Sequence, residues 1–259
     1  MGSVDPDIDK WDVVAKDWDR LITRGDSFRQ ELIDPKLIEW LKPLKGKTIL
    51  DAGCGEGYLS NLLAGEGARV HGLDASRKLI EVAKNKYQNP QITFLEGDLK
   101  TPLPFPEGFF DAIVANLVLM DFDPIDRALH EFARVLKPGG LFIFTLLHPF
   151  FGRAALTKNW KEKILFKTPH YKLKEYVTPV ARPRLINGLP SKTIVYHRPL
   201  EFYFKKLKDA SFMVTDLEEP VFEKSFVKDK SNFMKLSVEI PPFLLVKAKK
   251  VTPYPVTDN

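Results

Sequence analysis

The stretch Ile49-Leu50-Asp51-Ala52-Gly53-Cys54-Gly55-Glu56-Gly57 decides how this chain folds. Apolar residues run into a turn carrying three glycines, and residues 58–63 then open a helix. Glycine lets the backbone approach a bound group closely and adopt dihedrals closed to other residues. The helix start behind it contributes unpaired N–H groups and the positive end of a dipole. Strand, glycine turn and helix in this order make a cradle for a ligand at the carboxyl end of the strand.

Outward from that turn, apolar runs at 48–50, 69–73, 92–95, 110–115 and 141–147 predict strands. Amphipathic runs at 58–63, 79–87 and 125–136 predict helices, the last stopped by Lys137-Pro138-Gly139-Gly140. Strands alternating with helices at this spacing predict a parallel sheet with right-handed crossovers. Residues 199–210 predict another helix, and 212–217 and 243–247 two further strands. Upstream, Trp11, Val14, Trp18 and Leu21 recur on one helix face, and 35–41 predicts a second short helix.

Two acids follow at the places where such a sheet binds nucleotides. Asp74 ends the second strand, where a carboxylate can accept both hydroxyls of a ribose. Asp98 follows the third strand in Glu96-Gly97-Asp98-Leu99 and faces the same crevice, within reach of an adenine amino group. A nicotinamide fingerprint is not met, because its third glycine falls on Tyr58 or Ser60.

Together these segments resemble a class I S-adenosylmethionine-dependent methyltransferase of the small-molecule type. Asp51-x-Gly53-x-Gly55-x-Gly57 matches the family's first motif, and Gly72-Leu73-Asp74-Ala75-Ser76 resembles its second-strand motif. Glu96–Leu99 resembles its adenine-site motif, Phe110–Asn116 its fourth-strand motif, and Arg134–Gly140 the segment before its fifth strand. The likeness spans residues 48–147, with weaker support over 199–247. It implies an α/β fold, doubly wound, with a mostly parallel seven-stranded sheet and an antiparallel last hairpin strand. It implies S-adenosylmethionine as cofactor and S-adenosylhomocysteine as product. Gly53, Gly55 and Gly57 would pass under the methionine moiety, and Asp51 would hold the turn and reach toward its ammonium. Asp74 and Ala75 would take the ribose, Asp98 and Leu99 the adenine, and Asn116 would face the methionine end.

The remainder of the chain carries the acceptor side. Of its 259 residues, 39 are Lys or Arg and 34 Asp or Glu, a net charge of +5. Residues 149–196 alone hold ten basic against two acidic side chains. They also hold seven aromatics: Phe150, Phe151, Trp160, Phe166, Tyr171, Tyr176 and Tyr196. This segment interrupts the alternation and reads as a substrate cap, with aromatics for an apolar pocket and cations for an anionic acceptor. His148 follows the fifth strand, and His197 and Arg198 lie at the junction between the cap and the next helix; the two histidines are candidate bases, and His148, Tyr196, His197 and Arg198 candidate acceptor-binding residues. Either histidine could equally cap an element, and Arg198 could pair with a local carboxylate.

The chain therefore divides into an N-terminal helical lid (1–45), a cofactor-binding core (46–148), the inserted cap (149–196), the rest of the core sheet (197–250) and a tail (251–259). A small, anionic or aromatic acceptor is the main reading. An RNA or protein acceptor, or a cofactor-binding protein without turnover, stays open. The single cysteine, Cys54, excludes a multi-cysteine zinc site, and no metal is expected. No run approaches the roughly 20 apolar residues of a membrane span, and no secretory signal is legible at the start, so a cytoplasmic location is expected. Oligomeric state is not legible.

Overall fold

A computed structural model of the chain describes residues 6–150, 156–158, 171–173 and 175–251. Its centre is a seven-stranded sheet built from β1 (Thr48–Ala52), β2 (Arg69–Asp74), β3 (Ile92–Glu96), β4 (Phe110–Asn116), β5 (Leu136–Leu147), β10 (Phe212–Glu218) and β11 (Phe243–Lys250). Their order across the sheet is β10-β11-β5-β4-β1-β2-β3. β1 pairs in parallel with β2 and β4, β2 with β3, and β4 with β5. β11 runs antiparallel to both neighbours, β5 and β10. The chain leaves β1 toward β2 on one side and later resumes at β4 on the other, so the switch point lies between β1 and β4. Ligands of open α/β sheets bind at the carboxyl ends of strands at such a point.

The alternation of side chains divides the core into two layers. Ile49, Ala112, Val114 and Leu245 point to one face, where Leu37 and Leu41 of α2 (Asp34–Leu41) and Leu63 of α3 (Tyr58–Gly65) cover them. Leu50, Ile113, Ala115 and Val246 point to the other, under Phe132 of α5 (Asp126–Val135) and Tyr203 of α6 (Leu200–Asp209). β1 and β4 are apolar on both faces because both faces are covered.

α1 (Pro6–Thr23) lies along α4 (Arg77–Lys86). Ser76 caps α4 by accepting from the Leu79 N–H, and its hydroxyl donates to Asp12 of α1. Lys86 pairs with Asp19 at 2.6 Å. A π-helical turn, Arg29–Ile33, leads into α2.

The region 125–147 differs from the periodic pattern at one point. The helix ends at Val135 and β5 begins at Leu136, opposite Phe110. Pairing then jumps to Leu141 opposite Ala112, so Lys137–Gly140 form a bulge rather than a loop before the strand. Gly139, at φ +72°, supplies the turn, and Lys137 reaches Asp111 at 2.6 Å.

Segment 149–196 is described in part. β6 (Leu156–Lys158) pairs with β7 (Tyr171–Leu173), and β8 (Val180–Arg184) pairs with β9 (Thr193–His197), both antiparallel. Residues 151–155, 159–170 and 174, which include Phe151, Trp160 and Phe166, lie outside the described residues, as do 1–5 and 252–259. Among the described residues no helix is long and apolar enough to cross a membrane.

Candidate functional site

The turn after β1 takes its shape from glycine. Gly53, Gly55 and Gly57 have φ of +74°, +56° and +86°. The N–H groups of Gly53 and Cys54 both donate to the Leu73 carbonyl, at 2.7 and 3.1 Å, which locks the turn to the end of β2. Asp51 at the end of β1 is buried and accepts the Ser60 hydroxyl at 2.6 Å. Asp74 ties the two strand ends together: Oδ2 accepts the Gly55 N–H at 2.9 Å and Oδ1 the Ser76 N–H at 2.8 Å. Ala75 lies between those contacts, half-buried.

Farther along the edge, Asp98 Oδ1 accepts the Lys100 N–H at 2.8 Å and shapes the turn after β3. The Leu99 side chain is buried in the core. At the end of β4, Asn116 Oδ1 accepts the Thr145 hydroxyl at 2.6 Å. Leu117 follows in the left-handed region, at φ +58°, and turns the chain across the mouth of the groove. Asp51, Gly53–Gly57, Asp74, Ala75 and Asn116 thus come together around the β1–β4 switch point, with Asp98 and Leu99 beyond β2.

Three further residues belong to this cluster. Glu56, inside the glycine turn, is 2% exposed, and its Oε2 accepts the Trp18 indole N–H at 2.7 Å. Arg29, 8% exposed, stacks on the Trp18 ring, its guanidinium carbon 5.1 Å from the ring centroid. Glu56 Oε1 and Arg29 Nε make no hydrogen bond among the described residues, and Asp26 approaches Arg29 Nε only to 3.6 Å. Glu56 fell in a variable position of the glycine pattern, and Arg29 carries no local signal; the π-turn that aims it is invisible to a 3.6-residue period.

Burial sets the protonation of the acids. It pushes Asp51 up to about 7 and Asp74 up to about 6, and raises Glu56 as well. A carboxyl raised in the folded state binds its proton more tightly there than in the unfolded chain. The stability it contributes is present below its unfolded value of 3.8 and is lost as pH rises toward about 7. Asp51→Asn removes that loss while keeping an oxygen for Ser60. Its unfolding free energy, relative to the parent, is expected to rise by about 1 kcal/mol per pH unit between pH 5 and 7. Urea unfolding at several pH values measures this, and a constant difference would contradict the burial of a charge at Asp51.

The acceptor-side candidates are held by local partners. His148 is buried; Nε2 lies 2.6 Å from Glu219 Oε1, and Nδ1 accepts the Phe150 N–H at 3.2 Å. With Nδ1 accepting, the ring proton sits on Nε2 against Glu219, and burial lowers the ring's pKa. Both ring nitrogens have a partner in this structure. His197 Nε2 donates to the Tyr176 carbonyl at 2.8 Å. Arg198 is 2% exposed and donates to the carbonyls of Leu119 and Phe122 and to Asp123 Oδ1, at 2.8, 2.6 and 2.6 Å. Its guanidinium also lies over the rings of Tyr196 and Phe202. Arg198 thus pairs with a local carboxylate and bonds the loop after β4. The Tyr196 hydroxyl donates to Asp7 Oδ2 at 2.7 Å, joining the cap to α1.

Comparison with known proteins agrees with this fold. Residues 50–144 match the model of a methyltransferase domain. An uncharacterized protein of Haemophilus influenzae is 28% identical over 228 residues, covering 85% of this chain and 88% of that protein. A ubiquinone biosynthesis O-methyltransferase of Coxiella burnetii is 35% identical over 151 residues, 54% of this chain and 60% of that enzyme. The crystal structure of an S-adenosylmethionine dependent methyltransferase from Mesorhizobium loti superposes with a TM-score of 0.70 at 24% identity, over 87% of this chain and 99% of that one.

Proposed function

We propose that this chain, a class I S-adenosylmethionine-dependent methyltransferase by its domain and its sheet, moves a methyl group by in-line displacement to a nucleophile of a small, anionic or aromatic metabolite. The observation that carries the reading is the pair of buried, oppositely charged groups beside the glycine turn. Glu56 Oε1 and Arg29 Nε, both without a hydrogen bond among the described residues, flank the Trp18 ring. An ammonium and a carboxylate on one amino-acid moiety match these two groups in sign. Buried charges are costly unless paired, so a ligand carrying both complements the site.

In this proposal Gly53, Gly55 and Gly57 pass under the methionine moiety, Asp51 holds the turn, Glu56 and Arg29 take the ammonium and carboxylate, and Asn116 faces the same end. Asp74 and Ala75 take the ribose; Asp98 and the Leu99 backbone take the adenine. When bound, S-adenosylmethionine supplies a methyl already activated by its sulfonium. The protein's part is then to align the acceptor and keep water out. Residues 1–45 act as a lid, 46–148 and 197–250 as the core, and 149–196 as the cap, with 251–259 a tail. Tyr196 and His197 line the acceptor side, while His148 and Arg198 brace its wall. An aromatic acceptor fits the seven aromatic side chains of the cap segment and the O-methylating role in the name of the Coxiella relative.

Incubation with methyl-labelled S-adenosylmethionine and a fractionated cell extract tests the reading. Label is expected among small molecules. Label in RNA or protein would replace the acceptor class, and binding of S-adenosylhomocysteine with no label in any fraction would favour a protein that binds the cofactor without turnover.

A further inference from the structure

One charged pair at the mouth of the groove has no part in the roles above. Asp121 lies at the end of the turn that follows Leu117, with its N–H on the Val118 carbonyl at 2.8 Å. Arg184 ends β8 and reaches across from the cap, its guanidinium donating to Asp121 Oδ1 at 2.8 Å and, through Nε, to the Thr193 hydroxyl at 3.2 Å. The side chains are only 15% and 10% exposed, so this is an inward-facing contact between cap and core. Asp7 and Asp74 are the other charged groups whose fields reach Asp121. Arg184 holds one carboxylate oxygen; the other, Oδ2, accepts no hydrogen bond among the described residues.

Asp121 stands on the β4 side of the switch point, close enough to Asp74 for their charges to interact, which puts it on the side where the proposed roles bring an acceptor. Val118, three residues before it, is packed against Gly53: a Cβ on that glycine would fall 2.3 Å from Val118 Cγ2. The turn carrying Asp121 thus packs directly on the glycine turn. His148, the obvious base by position, is sealed on both ring nitrogens.

We infer that Asp121 is a catalytic base, taking the proton of an acceptor hydroxyl through Oδ2 while Arg184 orients it through Oδ1. The inference rests on the methyl-transfer reading above. In the step, the acceptor O–H bond breaks and its proton passes to Asp121. The oxygen's electron pair forms the bond to the methyl carbon, and the pair of the breaking carbon–sulfur bond returns to sulfur, leaving S-adenosylhomocysteine. Burial, opposed by Arg184, lifts Asp121 to about 6, which keeps it ionised at neutral pH yet basic enough to share a proton. An acceptor with an acidic hydroxyl, phenolic or enolic, suits such a base best.

The test uses the full chain, labelled S-adenosylmethionine and the small-molecule fraction of a cell extract as acceptor source. Asp121→Asn is expected to slow label transfer by about a hundredfold or more, while S-adenosylhomocysteine affinity, by calorimetry, changes less than about threefold, a change too small to signal a lost contact. Asp121→Glu should recover part of the rate. A ligand-free readout accompanies it: thermal melts from pH 5 to 8 should show Asp121→Asn gaining on the parent as pH rises. If the single variant unfolds early, Asp121→Asn with Arg184→Gln removes both charges and replaces it in the same assays. An unchanged transfer rate, or an equal fall in cofactor affinity, would overturn the role of Asp121 alone. Absence of label with the parent protein would overturn the methyl-transfer reading itself, and this inference with it.

Discussion

Replacing Gly53 by Ala is expected to abolish measurable binding of S-adenosylhomocysteine and to destabilise the fold by about 3 kcal/mol or more. Two costs add. The residue sits at φ +74°, where a side chain is strained, and a Cβ would lie 2.3 and 2.8 Å from Cγ2 and Cβ of Val118. Val118 belongs to the left-handed turn after β4 and cannot retreat without moving that turn. A second glycine separates the two costs. Gly108 has φ +64° but nothing within 4 Å of its built Cβ, so Gly108→Ala should cost only about 1 kcal/mol, the backbone strain alone. Urea unfolding of both variants, with calorimetric titration, measures the difference. Equal destabilisation would mean that the approach of Val118 to the cofactor turn does not matter.

That contact also explains what could and could not be read from the sequence. The β1 turn was legible because its signals are local: glycines within nine residues, and an apolar run that ends where they begin. The parallel sheet followed from alternation, since both faces of β1 and β4 are covered and leave near-continuous apolar runs, whereas the order of its strands is seen only in the fold. The bulge at Lys137–Gly140 reads in the sequence only as a helix stop, because proline and glycine mark helix ends and strand irregularities alike. What the sequence hid is long-range. Trp18 meets Glu56 across 38 residues and Arg184 meets Asp121 across 63. No spacing rule joins such positions; only the closing of the sheet, the lid and the cap does. The same separation hid the local engagement of His148 and Arg198, whose partners Glu219 and Asp123 lie 71 and 75 residues away.

Asp74 shows how a residue chosen for ligand binding also holds the fold, and its replacement is the second large effect expected. Its two oxygens accept N–H groups of Gly55 and Ser76, so the carboxylate fixes both the cofactor turn and the start of α4. Ser76 in turn bonds Asp12 of the lid helix, which places α1, the cofactor turn and the second strand in one network. A ribose presenting two hydroxyls to Asp74 would find an acceptor already oriented by two backbone donors. Hydrogen bonds to a charged group contribute about 1.5–3 kcal/mol each. Losing two of them with Asp74→Ala should weaken S-adenosylhomocysteine binding by a hundredfold or more, about 3 kcal/mol by the usual conversion. The same variant leaves two backbone N–H groups without their acceptor and should lower stability by about 1–3 kcal/mol. Asp74→Asn separates the roles, since it retains an oxygen for one N–H but offers its amide to the other. It should fold nearly as well as the parent and still bind weakly. Unchanged affinity in Asp74→Ala would remove this residue from the ribose site; full affinity in Asp74→Asn would show that the backbone contacts matter and the charge does not.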